Sequence, residues 1–99
     1  MNILLVCAAG MSTSLLVNRM KEVAIKQGIE AQIEAHPVGS VKSYGDAADV
    51  ILLGPQVRYE LKKVQKMYPG KPVEIINMQD YGTMNGAKVL AQAQKLLNK

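Results

Sequence analysis

The chain has no tryptophan and no phenylalanine among its 99 residues. Aliphatic side chains and methionine must therefore fill whatever core it forms. It has a single cysteine, Cys7. One cysteine excludes an internal disulfide framework and a cysteine-rich zinc site, and it fits a reducing compartment in which a thiol stays free. No cluster of His, Cys, Asp and Glu has ligand spacing, so no metal site is expected. No stretch approaches the ~20 apolar residues of a membrane span. The opening Met1 to Gly10 lacks a basic leader, and Val6 stands where a lipoprotein box needs a small residue. A soluble, cytoplasmic protein with no direct membrane insertion is the expectation. The formal net charge of +4 is mild. Without aromatic residues interleaved among the basic ones, it does not point to nucleic acid.

The remaining pattern is regular. With nearly half its residues apolar, the chain suits one small domain spanning residues 1–99. Four short strand-like runs alternate with helical patterns. Asn2 to Val6 is almost wholly apolar. A helix follows with Leu16, Met20, Val23 and Ala24 on one face, and Gly28 stands where a helix end favours a left-handed residue. Ile29 to Ala35 alternates strictly, as a strand with one wet face does, and His36-Pro37 is expected to end it. One or two helical turns are expected near Val41 to Tyr44. Val50 to Leu53 is again wholly apolar and stops at Gly54-Pro55. A second long helix should present Val57, Leu61, Val64 and Tyr68, with Arg58, Lys62, Lys63 and Lys66 towards solvent. Val73 to Ile76 is the fourth run, interrupted by Glu74. The last helix is expected from about Thr83, with Val89, Leu90, Ala93, Leu96 and Leu97 inward.

Alternation of this kind implies an α/β fold: an open parallel sheet with helices on both faces, three layers in all. The first and third runs are apolar on both faces and belong in the middle, whereas the second and fourth read as edges. With right-handed crossovers the order is 2-1-3-4. A crevice then opens between strands 1 and 3 at their carboxyl ends, where the chain reverses direction in the sheet. Cys7 stands at that point.

The loop after it reads Cys7-Ala8-Ala9-Gly10-Met11-Ser12-Thr13-Ser14. Small residues let the backbone curl, and Gly10 can take positive φ. The curled amides and the unpaired N–H groups of the following helix suit a phosphoryl group. The hydroxyls of Ser12, Thr13 and Ser14 can donate to its oxygens, and one of them should cap the helix. The same field favours the thiolate, which can attack phosphorus in line to give a covalent thiophosphate.

Three segments carry a resemblance to a known family: Val6-Cys7-Ala8-Ala9-Gly10-Met11-Ser12-Thr13-Ser14-Leu15-Leu16, Ala48-Asp49-Val50-Ile51-Leu52-Leu53-Gly54-Pro55-Gln56-Val57, and Lys71-Pro72-Val73-Glu74-Ile75-Ile76. With them the chain resembles the IIB component of the bacterial phosphoenolpyruvate-dependent sugar phosphotransferase system, in the lactose/cellobiose/chitobiose class. The resemblance spans the chain in length and element order. It implies that Cys7 accepts phosphate from a histidine of a phosphorylated IIA protein and passes it to a sugar bound in the membrane-embedded IIC permease. A β-glucoside disaccharide such as cellobiose is the preferred sugar. Residues 8–14 then form the phosphate loop, and Pro55, Gln56 and Tyr81 lie on a rim towards the partners.

Two other readings compete. Low-molecular-weight tyrosine phosphatases place a similar loop after strand 1, but they need Arg where this chain has Thr13, and a hydroxyl replaces a bidentate guanidinium poorly. Asp80-Tyr81-Gly82 echoes their acid loop, yet Asp80 is expected to be a turn or capping residue. The third reading is an anion-binding module that uses the loop without covalent chemistry. His36 is expected to be a solvated loop histidine, and the basic residues of the second long helix a solvated face.

Overall fold

The computed structural model describes residues 1–8 and 11–98, and of Met11 and Ser12 the backbone alone. Strand β1 (Asn2–Cys7) leads to helix α1 (Met11–Lys26). Strand β2 (Gln32–Pro37) is followed by a 3-10 turn, the single helical turn α2 (Val41–Tyr44) and a second 3-10 turn. Strand β3 (Val50–Leu53) runs into 3-10 turns over Pro55–Glu60 and then helix α3 (Leu61–Met67). Strand β4 (Val73–Ile75), the short helix α4 (Met78–Gly82) and helix α5 (Gly86–Leu97) complete the order.

The sheet has the expected order, β2-β1-β3-β4, with every neighbouring pair parallel. Ile3 faces Ile33 on one side and Val50 on the other, and Leu53 faces Ile75. The alternation of side chains along β1 and β3 divides the core in two. Ile3, Leu5, Val50 and Leu52 pack with Leu16, Val17, Met20, Val89 and Leu90 beneath α1 and α5. Leu4, Val6, Ile51 and Leu53 pack on the opposite face with Val41, Val57 and Val64. Both central strands are buried on both faces, which is why they read as unbroken apolar runs.

Helix α1 ends as its sequence suggests. Gly28 has φ 68°, and its N–H reaches the Ile25 carbonyl at 3.2 Å while the Ile29 N–H reaches that of Ala24 at 2.8 Å. These two bonds close a Schellman motif around a residue that tolerates the left-handed region.

Three expectations shift. The second strand lies later than its alternation suggests, because the pairing partner of Asn2 is Gln32 and that of Cys7 is Pro37. Ile29 and Ala31 still pack on the core from the segment before it. The helix expected after Pro55 is divided, since Val57 has φ −116° and ψ 23° and breaks the helical run. Its apolar face survives, with Val57 and Val64 buried and Leu61 and Tyr68 packed beside them. The last helix starts at Gly86, not Thr83. Asn85 caps it, its side chain accepting the Lys88 N–H at 3.1 Å. Thr83 instead closes α4 by donating its hydroxyl to the Gln79 carbonyl at 2.9 Å, and Met84 makes the turn between them with φ 52°.

The edge strand β4 is covered rather than open. Gln65 of α3 donates to the Val73 carbonyl at 3.0 Å. From the other layer, Gln92 of α5 donates to the Ile75 carbonyl at 2.9 Å and accepts the Asn77 N–H at 3.2 Å. Two amide side chains thus take the place of a fifth strand and satisfy groups that an exposed edge leaves unpaired.

Candidate functional site

Four strand ends meet at one end of the sheet. Cys7 closes β1, and its Sγ donates to the His36 carbonyl of β2 at 3.7 Å. The residue is 2% exposed. On its other side Gly54 leaves β3 with its N–H on the Val6 carbonyl at 2.8 Å, and the Ile76 N–H holds the Leu53 carbonyl at 2.8 Å. Main-chain bonds among β1, β3 and β4 and the thiol's own bond to β2 therefore tie the four strand ends together.

Helix α1 begins four residues after Cys7. Its first-turn N–H groups have no partner within the helix, and its dipole is positive at this end. Ala8 and Ser14 are exposed. Ala9 and Gly10, which the sequence places in the phosphate loop, lie outside the described residues, as do the side chains of Met11 and Ser12. Thr13 is 1% exposed, and its Oγ1 lies 3.2 Å from the Tyr81 hydroxyl. Its side chain is thus turned inward, while its main chain remains in the first turn of α1.

On the rim, Pro55 is half-buried and Gln56 is exposed. Gln56 folds its side-chain carbonyl back over Gly54, where an added Cβ would stand 3.0 Å from Oε1. Tyr81 departs from its expected place. It is buried at 7% exposure beneath the rim, beside Gly54, and does not present its ring to a partner. The cause is the α4 turn. Asn77 caps it by accepting the Gln79 and Asp80 N–H groups at 3.0 and 3.1 Å, and the Tyr81 ring is carried inward to the core. Asp80 lies in the first turn of α4 with its N–H on the Asn77 cap.

His36 also differs from expectation. It belongs to β2, not to a solvated loop. Its ring stacks on Tyr44 with centroids 3.4 Å apart and planes 3° from parallel. Nε2 is buried without a hydrogen-bond partner among the described residues, and Glu34 Oε1 is 3.5 Å away, an ion pair only when the ring is protonated. Side-chain alternation along β2 sets His36 on the face opposite Ile33 and Ala35. Only its carbonyl, not its ring, is shown against Cys7. Neither the His36–Tyr44 stack nor the Thr13–Tyr81 pair has a local signature, because each joins residues that only the packed fold brings together.

Arg58, Lys62, Lys63 and Lys66 are exposed, as a solvated face should be, with Lys63 3.9 Å from Glu60. Among the described residues no group of three or more His, Cys, Asp or Glu could hold a metal, and no helix is long and apolar enough to cross a membrane.

Comparison with known proteins agrees with this arrangement. Residues 2–92 match the family model of the lactose/cellobiose-specific IIB subunit of the phosphotransferase system. The chain is 44% identical over 103 residues to the galactose-specific EIIB component of Lactococcus lactis subsp. cremoris, covering 97% of this chain and 95% of that one. It is 46% identical over 100 residues to the oligo-beta-mannoside-specific EIIB component of Bacillus subtilis, covering 96% and 94%. The solution structure of a cellobiose-specific phosphotransferase IIB component from Borrelia burgdorferi superposes with a TM-score of 0.83 at 49% identity, over 99% of this chain and 92% of that chain. The lactose-specific IIB domain of Streptococcus pneumoniae, at 19% identity, shares the fold with a TM-score of 0.87 over 97% and 96%. A parallel sheet in the order 2-1-3-4, a lone cysteine at the end of its first strand and relatedness along nearly the whole chain lead to one assignment: the protein belongs to the lactose/cellobiose-specific IIB subunits of the sugar phosphotransferase system.

Proposed function

We propose that residues 1–99 act as one cytoplasmic phosphocarrier domain whose acceptor is Cys7. The observation that carries this reading is the position of Cys7, at the carboxyl end of a central strand and just before the amino end of α1. A phosphoryl group on Sγ would lie where the sheet opens and beside first-turn amides that the helix itself cannot pair. The donor is a phosphohistidine on a IIA partner. The Sγ electron pair attacks phosphorus as the P–N bond breaks, the bonding pair returns to the imidazole, and the thiol proton leaves with it. Backbone amides of the loop, residues 8–14, steady the charge on the equatorial oxygens. A sugar hydroxyl, presented by a membrane-embedded IIC partner, then attacks phosphorus. The S–P bond breaks with its electrons on sulfur, and the hydroxyl proton passes to the thiolate, which returns Cys7 to the thiol. The thiol is buried in the free protein, so docking of a partner has to open a path to Sγ.

Cellobiose or a related β-glucoside is the proposed sugar. Relatives named for galactose, cellobiose and oligo-beta-mannosides fit a design in which IIC holds the sugar and the carrier does not choose it. Pro55 and Gln56 are proposed to meet the partners from the rim. The hydrolase alternative gains nothing from the site. Thr13 stands where Arg is needed, and Tyr81 beside Asp80 is buried.

Incubation with phosphoenolpyruvate, the general phosphotransfer proteins and cognate IIA should label wild-type protein at Cys7. Cys7→Ser should take no thiol-linked label and should abolish sugar phosphorylation in membranes carrying IIC. Label that stays on IIA, or that appears on His36, defeats the proposal.

A further inference from the structure

Thr13 is a buried polar residue in the first turn of the helix that follows the acceptor cysteine. Its Oγ1 meets the Tyr81 hydroxyl at 3.2 Å, a contact between residues 68 positions apart. At its other end Tyr81 is held firmly. Its N–H donates to the Asn77 carbonyl at 2.9 Å, and its carbonyl accepts the Met84 N–H at 3.1 Å. An added Cβ on Gly54 would stand 3.5 Å from both Tyr81 Cε2 and the Val6 carbonyl, so the ring lies close to the exits of β1 and β3. Gly54 itself is tied to Val6, the residue before Cys7.

These contacts form a brace. One end is fixed to the β4 exit through α4, the middle rests near the β1 and β3 exits, and the other end grips the first turn of α1. The first turn of α1 carries amides that the helix itself cannot pair, and the orientation of that turn relative to Cys7 decides whether they point at a phosphoryl group on Sγ. We infer that Tyr81 is a positioning residue for phosphoryl transfer, acting through the Thr13 hydroxyl to hold the amino end of α1 in register with Cys7. It touches neither the phosphoryl group nor the sugar. The inference rests on the carrier reading above and adds a residue to its machinery.

Small displacements of groups that stabilise a transition state cost rate far more than they cost binding. Tyr81→Phe keeps the ring and its packing and removes only the hydroxyl. Thr13→Val keeps the shape of Thr13 and removes the other partner. The test is rapid-quench transfer of phosphate from phosphorylated IIA to each variant over a range of IIA concentrations, with thermal melts in parallel. Both variants should lose roughly tenfold in the limiting transfer rate with an unchanged KM for IIA. The loss in the double variant should fall short of the product of the two single losses, because both remove the Thr13–Tyr81 bond. Thr13→Ser, which returns a hydroxyl, should recover most of the rate lost in Thr13→Val. The phosphorus NMR signal of phosphocysteine should shift in Tyr81→Phe. Should Tyr81→Phe fail to fold, the comparison of Thr13→Ser with Thr13→Val decides the matter.

The inference is overturned if the variants transfer at the wild-type rate, if KM rises in step with the lost rate, or if the two losses multiply in the double variant. Wild-type protein that never takes phosphate on Cys7 defeats the carrier reading and this inference with it. Normal wild-type labelling beside unaffected variants defeats the brace alone.

Discussion

The two helical layers flanking the sheet are built by different means. Beneath one face lie α1 and α5, of 16 and 12 residues. They pack so closely that a Cβ on Gly86 would stand 2.6 Å from the Arg19 carbonyl carbon and 2.7 Å from the Met20 nitrogen. Across the other face lie α2 and α3, of 4 and 7 residues, joined to the sheet through 3-10 turns. Short helices bury little apolar surface, and this layer relies more on polar ties. Lys71 Nζ donates to the Gly45 and Asp46 carbonyls at 2.6 Å each. The Tyr68 hydroxyl donates to the Val41 carbonyl at 3.3 Å, and its ring covers Gly45. One layer is a helix pair held by apolar contact, and the other is a set of turns laced together by side chains reaching carbonyls. The residues proposed to hold phosphate lead into α1, a helix of the first layer.

Substitutions at two of the buried glycines, Gly86 and Gly45, test the contrast. Gly86→Ala should have the larger effect. Its methyl group meets helix backbone that cannot step aside, and overpacking of that kind costs about 1–3 kcal/mol. A thermal melt should show a fall on the order of 4–8 °C for each kcal/mol lost in a domain of this size. A melt at the wild-type temperature would mean that the helices are free to separate.

Gly45→Ala should cost less, although its methyl group would also enter occupied space. The obstacle is the far end of the Tyr68 side chain, which can swing away at the expense of its bond to Val41, about 0.5–1.5 kcal/mol. Urea denaturation of the two variants side by side checks the order. A larger loss at Gly45 than at Gly86 would reverse the contrast between rigid and yielding layers.

The smallest effect is expected from Tyr68→Phe near neutral pH, where only the bond to Val41 is lost, again about 0.5–1.5 kcal/mol. Its signature is the pH dependence. Burial first, and then the nearby Asp46, raise the phenol above its ordinary value of 10.0. The folded state therefore keeps the proton longer than the unfolded chain does. This contribution to stability is complete below pH 10.0 and is lost as pH rises through the folded-state value. Wild-type protein should lose stability more steeply than Tyr68→Phe in alkaline titrations followed by circular dichroism. Parallel curves for the two proteins would remove Tyr68 from the account.

The layers also differ in how much of them the sequence reveals. Leu16, Met20 and Ala24, and Val89, Leu90 and Ala93, recur at helical spacing and are buried where that spacing places them. The face of Val57, Leu61, Val64 and Tyr68 reads equally well, but the break at Val57 does not, because nothing local requires it. Thr83 misleads for a related reason. A threonine can cap the helix that follows it or close the one before it, and only the packing of α4 selects the second. At the site, Cys7, the helix start after it and the switch point follow from strand burial and order. The inward turn of Thr13 and Tyr81 and the stack of His36 on Tyr44 do not.

Sequence alone determined the number and order of the strands, the lone cysteine after the first of them and the small residues that follow it. Apolar runs, their periodicity and turn residues act over a few positions, and a parallel order follows from which strands must be buried on both faces. Tertiary structure alone decided what holds that cysteine's surroundings in place: the Thr13–Tyr81 contact, the carbonyl of His36 against Sγ, and the glycines that admit a neighbouring helix or ring. Hydrogen bonds between distant residues depend on where whole elements come to rest. That is set by the summed packing of both cores and leaves no periodic trace in the chain.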